Sequence, residues 1–259
     1  MLSHSNRCLY ALPMAAIGMI NFLFEVYLLK FATDVLLLAP AVMGTIFSIS
    51  RIWDAVSDPL CGYLSDATRN SIGRRRSWML GSALPLWCAF VACFSPPQLA
   101  DAAGLSLWML PSVLAYYTSR TAFEVPHLAF GTELTQNAVY HERSSLYAWR
   151  QAFAYLGSLL GVGALFVLMA REPTGPSAVR QAAFWISLST GGLGALCIVT
   201  LVAAMREPPP AMDASGEPGT APERHVLRLV STVWQRPLAR RMSLIWCLAD
   251  GRCARGARR

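Results

Sequence analysis

Charge is scarce in this chain, and lysine is almost absent. Only 14% of its 259 residues are charged, and Lys30 is the only lysine among 22 basic residues. Soluble domains carry about 25% charged residues, so an ordinary water-facing surface is excluded. A soluble helical core is set aside as well, because core helices keep a polar face and the apolar blocks here do not. The seven cysteines include no CxxC pair. Cys61, Cys88, Cys93 and Cys197 sit within apolar blocks, so they read as small packing residues and not as disulfides or zinc ligands. A glycine-rich phosphate loop, a metal-ligand cluster and a credible Ser-His-acid set are all missing. The expectation is therefore a protein that is not an enzyme and carries no cofactor.

What is present is hydrophobic sequence in helix-length blocks, 54% of residues overall. No charge occurs in 77–100, 151–170 or 181–205. Blocks of about 20 apolar residues span a bilayer, and six spans are expected: 9–32, 41–65, 77–97, 104–134, 145–170 and 181–205. Cys8–Phe24 is too long for a signal-peptide core. The fold class expected is an all-α membrane protein.

The net charge of +7 suggests nucleic acid at first, but its distribution points elsewhere. Arg69, Arg74, Arg75 and Arg76 follow the second span, His141 and Arg143 follow the fourth, and Arg206 follows the sixth. The opposite loops hold Lys30 with Asp34, then Asp101, then Arg171, Glu172 and Arg180. Arginine enriched in alternate loops is the positive-inside pattern, which places the N-terminus in the cytoplasm and the protein in the cell's inner membrane. Residues 1–205 form the six-helix bundle. Residues 206–241, rich in Pro, Gly, Ala and acid, read as a cytoplasmic linker. Residues 242–259 begin a seventh apolar segment that stops before Asp250, and they read as a truncated helix with a basic tail.

Seven ionisable residues fall well inside the spans: Glu25, Arg51, Asp54, Asp58, Arg120, Glu124 and Arg150. Asp54 and Asp58 are four apart, so they share one helix face. Two carboxylates inside a membrane are costly, and their repulsion is relieved by a cation or a proton. Oxygen-only ligation suits a hard cation such as sodium. At about 1.5 Å per residue, Asp54 and Glu124 both lie about 15 Å into a core about 30 Å thick. Acids and bases at one depth on different helices suggest a shared polar cavity. Arg51 with Asp54 and Arg120 with Glu124 can also form intrahelical pairs, and fixing helix packing is the plain alternative for them. His127 is the histidine expected to face the cavity, with a packed, hydrogen-bonded role as the alternative. Gly157 and Gly161 read as a close-packing motif.

The residues Asp58-Pro-Leu-Cys-Gly62-Tyr-Leu-Ser-Asp66-Ala-Thr-Arg69, then Gly73-Arg74-Arg75-Arg76-Ser-Trp78, resemble the loop after helix two of major facilitator transporters. Arg51-Ile-Trp-Asp54, Val125-Pro126-His127 through Glu133, and Trp149-Arg150 resemble segments of the glycoside–pentoside–hexuronide:cation symporters, the group of the melibiose permease. The resemblance covers roughly residues 8–248 and implies twelve helices in two six-helix halves, of which this chain supplies the first. It implies a cation site at Asp54 and Asp58, and sugar contacts from Glu124 and Arg150, with Arg51, Arg120 and His127 beside them. It also implies a conformational motif at Gly62, Asp66, Arg69, Gly73, Arg74 and Arg75. Two departures argue against melibiose itself: Gly18 stands where helix one of that permease has a sugar-binding Asp, and Glu124 replaces an Asp. The reading is sodium- or proton-coupled symport of a sugar-like solute in membrane lipid, inactive without a second half or partner chain. A transporter of amphiphilic lipids and a non-transporting fragment are the rivals.

Overall fold

The computed structural model describes residues 3–97, 101–135 and 140–206. The chain divides into two compact units, Met1–Pro218 and Gly219–Arg259, and all described residues belong to the first. Of the predicted linker 206–241 only Arg206 is described, and the predicted seventh segment 242–259 lies outside the described residues.

Among the described residues there is no strand. Six long helices follow one another: α1 (His4–Val35), α2 (Pro40–Ala67), α3 (Arg74–Phe94), α4 (Ala102–Leu134), α5 (Tyr140–Arg171) and α6 (Pro176–Ala204). Helix α1 is not uniform. Two π-helical turns, Leu23–Tyr27 and Phe31–Val35, interrupt its α-helical winding. The helices run past the apolar blocks because their caps lie outside them. Ser3 accepts the Asn6 N–H at 3.2 Å, and Asp101 accepts that of Gly104 at 3.2 Å. Pro40 and Pro176 open α2 and α6, where a missing N–H costs nothing. Gly73, with φ of 120°, turns the chain into α3, a conformation that favours glycine.

By length and composition, His4–Val35, Arg74–Phe94, His141–Thr174 and Pro176–Ala204 are apolar enough to cross a membrane. Helices α2 and α4, of 28 and 33 residues, are long enough but fall outside that set. They carry Arg51, Asp54, Asp58, Arg120 and Glu124.

Helix α1 packs along α5 and α6, while α4 lies against both α2 and α3. The α1–α5 contact is backbone on backbone. A Cβ at Gly18 would overlap the Ala154 carbonyl, and one at Gly157 would overlap that of Ala15. Small residues let membrane helices approach this closely. The close approach also leaves no room at Gly18 for any side chain.

Two sets of contacts define the ends of the bundle. Arg7 donates to Ser145 at 3.1 Å, Arg75 reaches Glu133, and Arg76 donates to the Val202 carbonyl. These gather the starts of α1, α3 and α5 with the ends of α4 and α6. At the other end Lys30 bridges Asp34 (2.8 Å) and Glu172 (3.0 Å), and Arg180 donates to the Pro96 carbonyl at 2.8 Å.

Candidate functional site

The acidic pair of α2 faces α4. Thr121 donates its hydroxyl to Asp58 Oδ1 at 2.8 Å, and the Trp53 indole N–H donates to Thr118 Oγ1 at 2.8 Å. The two contacts lock α2 onto α4 on either side of Asp54. The carboxylate of Asp54 is one-fifth exposed, with Oδ2 3.8 Å from Arg51 Nη1. Its Oδ1 is buried with no hydrogen-bond partner. A buried acceptor of this kind costs free energy until something satisfies it. Asp54 also lies within the field of Asp58, Arg120, Arg51 and Glu124. Arg51 is mostly exposed and rests 5.4 Å over the Tyr117 ring.

A second polar group joins α1 to α4. Arg120 Nε donates to Glu124 Oε1 at 3.1 Å, and Asn21 Nδ2 donates to the same oxygen at 3.2 Å. Tyr116 donates its hydroxyl to Asn21 Oδ1 at 2.7 Å, and Arg120 Nη1 lies 3.8 Å from Glu25. The intrahelical pair expected at Arg120–Glu124 is therefore part of a chain running from Tyr116 through Asn21 and Glu124 to Arg120 and Glu25. Asn21, Tyr116 and Thr121 were absent from the expected site. The available signal for Asn21 was its place as the lone side-chain amide within span 9–32.

His127 lies in a packed aromatic setting. It is fully buried, stacked on Tyr10 (4.4 Å between ring centres) and against Phe123 (5.1 Å). Its Nε2–H donates to the Tyr10 carbonyl at 3.0 Å. Both ring faces are covered by aromatic rings, which fits the packed, hydrogen-bonded alternative. Arg150 reaches its Nδ1 from α5 at 3.5 Å and is half-buried. Glu25, half-exposed, sits at the edge of the cluster.

At the arginine-rich end, Arg75 ties Asp66 (2.9 Å) to Glu133 (2.7 Å), and Arg74 also pairs with Glu133 at 2.5 Å. Glu133 closes the segment that resembles the family's fourth helix. It is the shared acceptor of two guanidiniums. Gly62 packs α2 against Val125 of α4, and Arg69 is exposed.

The residues fit a small hard cation. Asp54, Asp58 and the Thr121 hydroxyl offer oxygen ligands only, and Asp54 has one oxygen unsatisfied. Among the described residues, no three His, Cys, Asp or Glu side chains gather as a transition-metal site would.

A multi-pass membrane bundle with ionisable groups between its helices has the design of a transporter half. The chain belongs to the MFS/sugar transport protein family, whose model matches residues 9–249. It is 38% identical over 149 residues to an uncharacterized symporter of Synechocystis sp., covering 56% of this chain and 27% of the relative. It is 30% identical over 200 residues to the putative glycoside/cation symporter YagG of Escherichia coli, covering 77% and 40%. The sodium-dependent lysophosphatidylcholine symporter 1-B of Danio rerio is 32% identical over 144 residues, covering 55% and 26%. The matched stretches thus cover only 26% to 40% of the length of these relatives. Family and relatives are transporters, not enzymes, and the six helices correspond to the amino-terminal half of their fold.

Proposed function

We propose that this chain forms the cation-binding half of a symporter that carries a sugar or glycoside together with sodium or a proton. The observation that carries this reading is the buried, unsatisfied oxygen of Asp54 beside the Asp58–Thr121 pair. A cation there neutralises two carboxylates at once. Arg120, which lies in the field of Asp54 and bonds Glu124, then shifts its weight toward Glu124 and Asn21. Those groups, with Arg150, present donors and acceptors suited to sugar hydroxyls. Binding of one ligand thereby favours the other, as linkage requires. The name of YagG supports a glycoside, whereas the zebrafish relative favours an amphiphilic lipid as the second reading.

Gradient-driven uptake in proteoliposomes tests this. The chain paired with a carboxy-terminal six-helix half is expected to accumulate labelled glycosides only with an inward sodium or proton gradient. Uptake of lysophosphatidylcholine alone would select the second reading. The six-helix bundle reconstituted by itself is expected to accumulate nothing, because six helices alone leave Asp54, Asp58 and Glu124 unenclosed. Accumulation by it that vanishes in Asp54→Asn would overturn that expectation.

The arginine-rich end faces the cytoplasm in this reading, and the protein lies in the cell's inner membrane. Single cysteines at Ser71 and Thr174, at opposite ends of the bundle, should label from opposite sides. Labelling of both from outside would sink the topology.

A further inference from the structure

Helix α3, helix α4 and the turn between α2 and α3 line a groove of about 480 Å³. Its mouth is at the arginine-rich end, formed by Thr68, Asn70 and Trp78; its inner end is at Pro85 and Thr118. Pro85 is eleven residues into α3, about 16 Å from that end. The hydroxyls along it are turned inward. Ser77, Ser82 and Thr118 donate to the carbonyls of Arg74, Met79 and Leu114 on their own helices at 3.0, 2.8 and 2.7 Å. What remains facing the groove is mostly hydrocarbon. At Gly81 a Cβ would meet nothing within 4 Å, so the groove is open there, and exposed Leu84 lies on the same helix.

The mouth has a different chemistry. Asn70 turns its carboxamide oxygen to the Ile72 N–H and the Ser71 hydroxyl, which leaves its NH₂ as a donor. Arg69 beside it is exposed. The Trp78 indole donates to Thr68 at 2.7 Å, where a tryptophan suits the headgroup level. A largely hydrocarbon slot whose mouth holds an amide donor, next in sequence to an exposed arginine, matches one kind of molecule.

We propose that the groove between α3 and α4 holds one acyl chain of an anionic phospholipid, with its phosphate between Arg69 and Asn70. The chain end would reach Thr118, which holds Trp53 next to Asp54. A bound lipid thus braces the α2–α4 contact from outside, whichever solute is carried.

The test is photo-crosslinking of the whole chain in mixed vesicles of phosphatidylcholine and phosphatidylglycerol. A diazirine-acyl tracer of either lipid is added, and adducts are mapped by mass spectrometry. Phosphatidylglycerol tracer is expected to label 78–85 and 118–122 more strongly than exposed Leu159 and Leu196. Gly81→Leu, which fills open space, should remove groove labelling and spare Leu159 and Leu196. Arg69→Gln should reduce the preference for phosphatidylglycerol over phosphatidylcholine about fivefold, the effect of one cation at a membrane surface. Unchanged groove labelling in Gly81→Leu overturns the site. Equal labelling by both tracers in the unmodified chain overturns the anionic assignment. Displacement by added lysophosphatidylcholine would make the groove a solute path and overturn the bracing role.

Discussion

Asp54→Asn and Asp58→Asn are each expected to abolish cation-coupled uptake by a complete transporter built on this chain. Each substitution removes a hard anionic oxygen from a site that has few. The Asp58 change also weakens the bond from Thr121 at 2.8 Å. Loss of about 3 kcal/mol of cation binding lowers affinity by about two orders of magnitude. Thr121→Val is the graded control. It removes one neutral ligand and one hydrogen bond, worth about 1 kcal/mol, so cation affinity should fall severalfold with coupling retained. The measurement is initial uptake rate against sodium concentration and against pH for all three variants. If both asparagine variants keep the parent's cation dependence, the aspartates are structural and the coupling site lies elsewhere.

The other large effect is expected at Gly157. Gly157→Leu puts a side chain where the Ala15 carbonyl already lies, and a backbone, unlike a side chain, has no rotamer to escape into. Helices α1 and α5 must separate along their contact. Overpacking in a well-fitted core costs about 1–3 kcal/mol, and separation of two backbones belongs above that range. Gly163→Leu, on the same helix where a Cβ meets nothing within 4 Å, should leave stability unchanged. Thermal unfolding of both variants in detergent decides the matter. Equal melting temperatures would refute the close-packing account.

Much of the bundle was legible in the sequence because a membrane enforces simple rules. Uncharged blocks of spanning length, and arginines in alternate loops, are one-dimensional signals. The helix ends were less legible, since Ser3, Asp101 and Pro176 cap from outside the apolar blocks. Within the site the same division holds. Asp54, Asp58, Arg120 and Glu124 announced themselves by the cost of charge in hydrocarbon. Asn21, Tyr116 and Thr121 carry no charge and so had no comparable signal, although they bond directly to the charged groups. His127 allowed two readings for a related reason. A polar ring in a span points equally to a cavity or to a packed partner, and only the stacking of Tyr10 and Phe123 distinguishes the two.

The π-helical turns of α1 bear on how its two ends are phased. A π turn holds one residue more than an α turn, so everything beyond it is offset by about 100° relative to an unbroken α-helix. Leu23–Tyr27 lies between Asn21, which bonds Glu124, and Lys30, which bonds Glu172. The polar contacts of α1 are thus indexed to different neighbours on either side of that turn, the first to α4 and the second to the turn between α5 and α6. If the extra residue migrated along the helix, as such wide turns can by exchanging hydrogen-bond partners, one half would rotate while the other stayed engaged. The shaft that crosses the bundle is therefore keyed at two angles and not one.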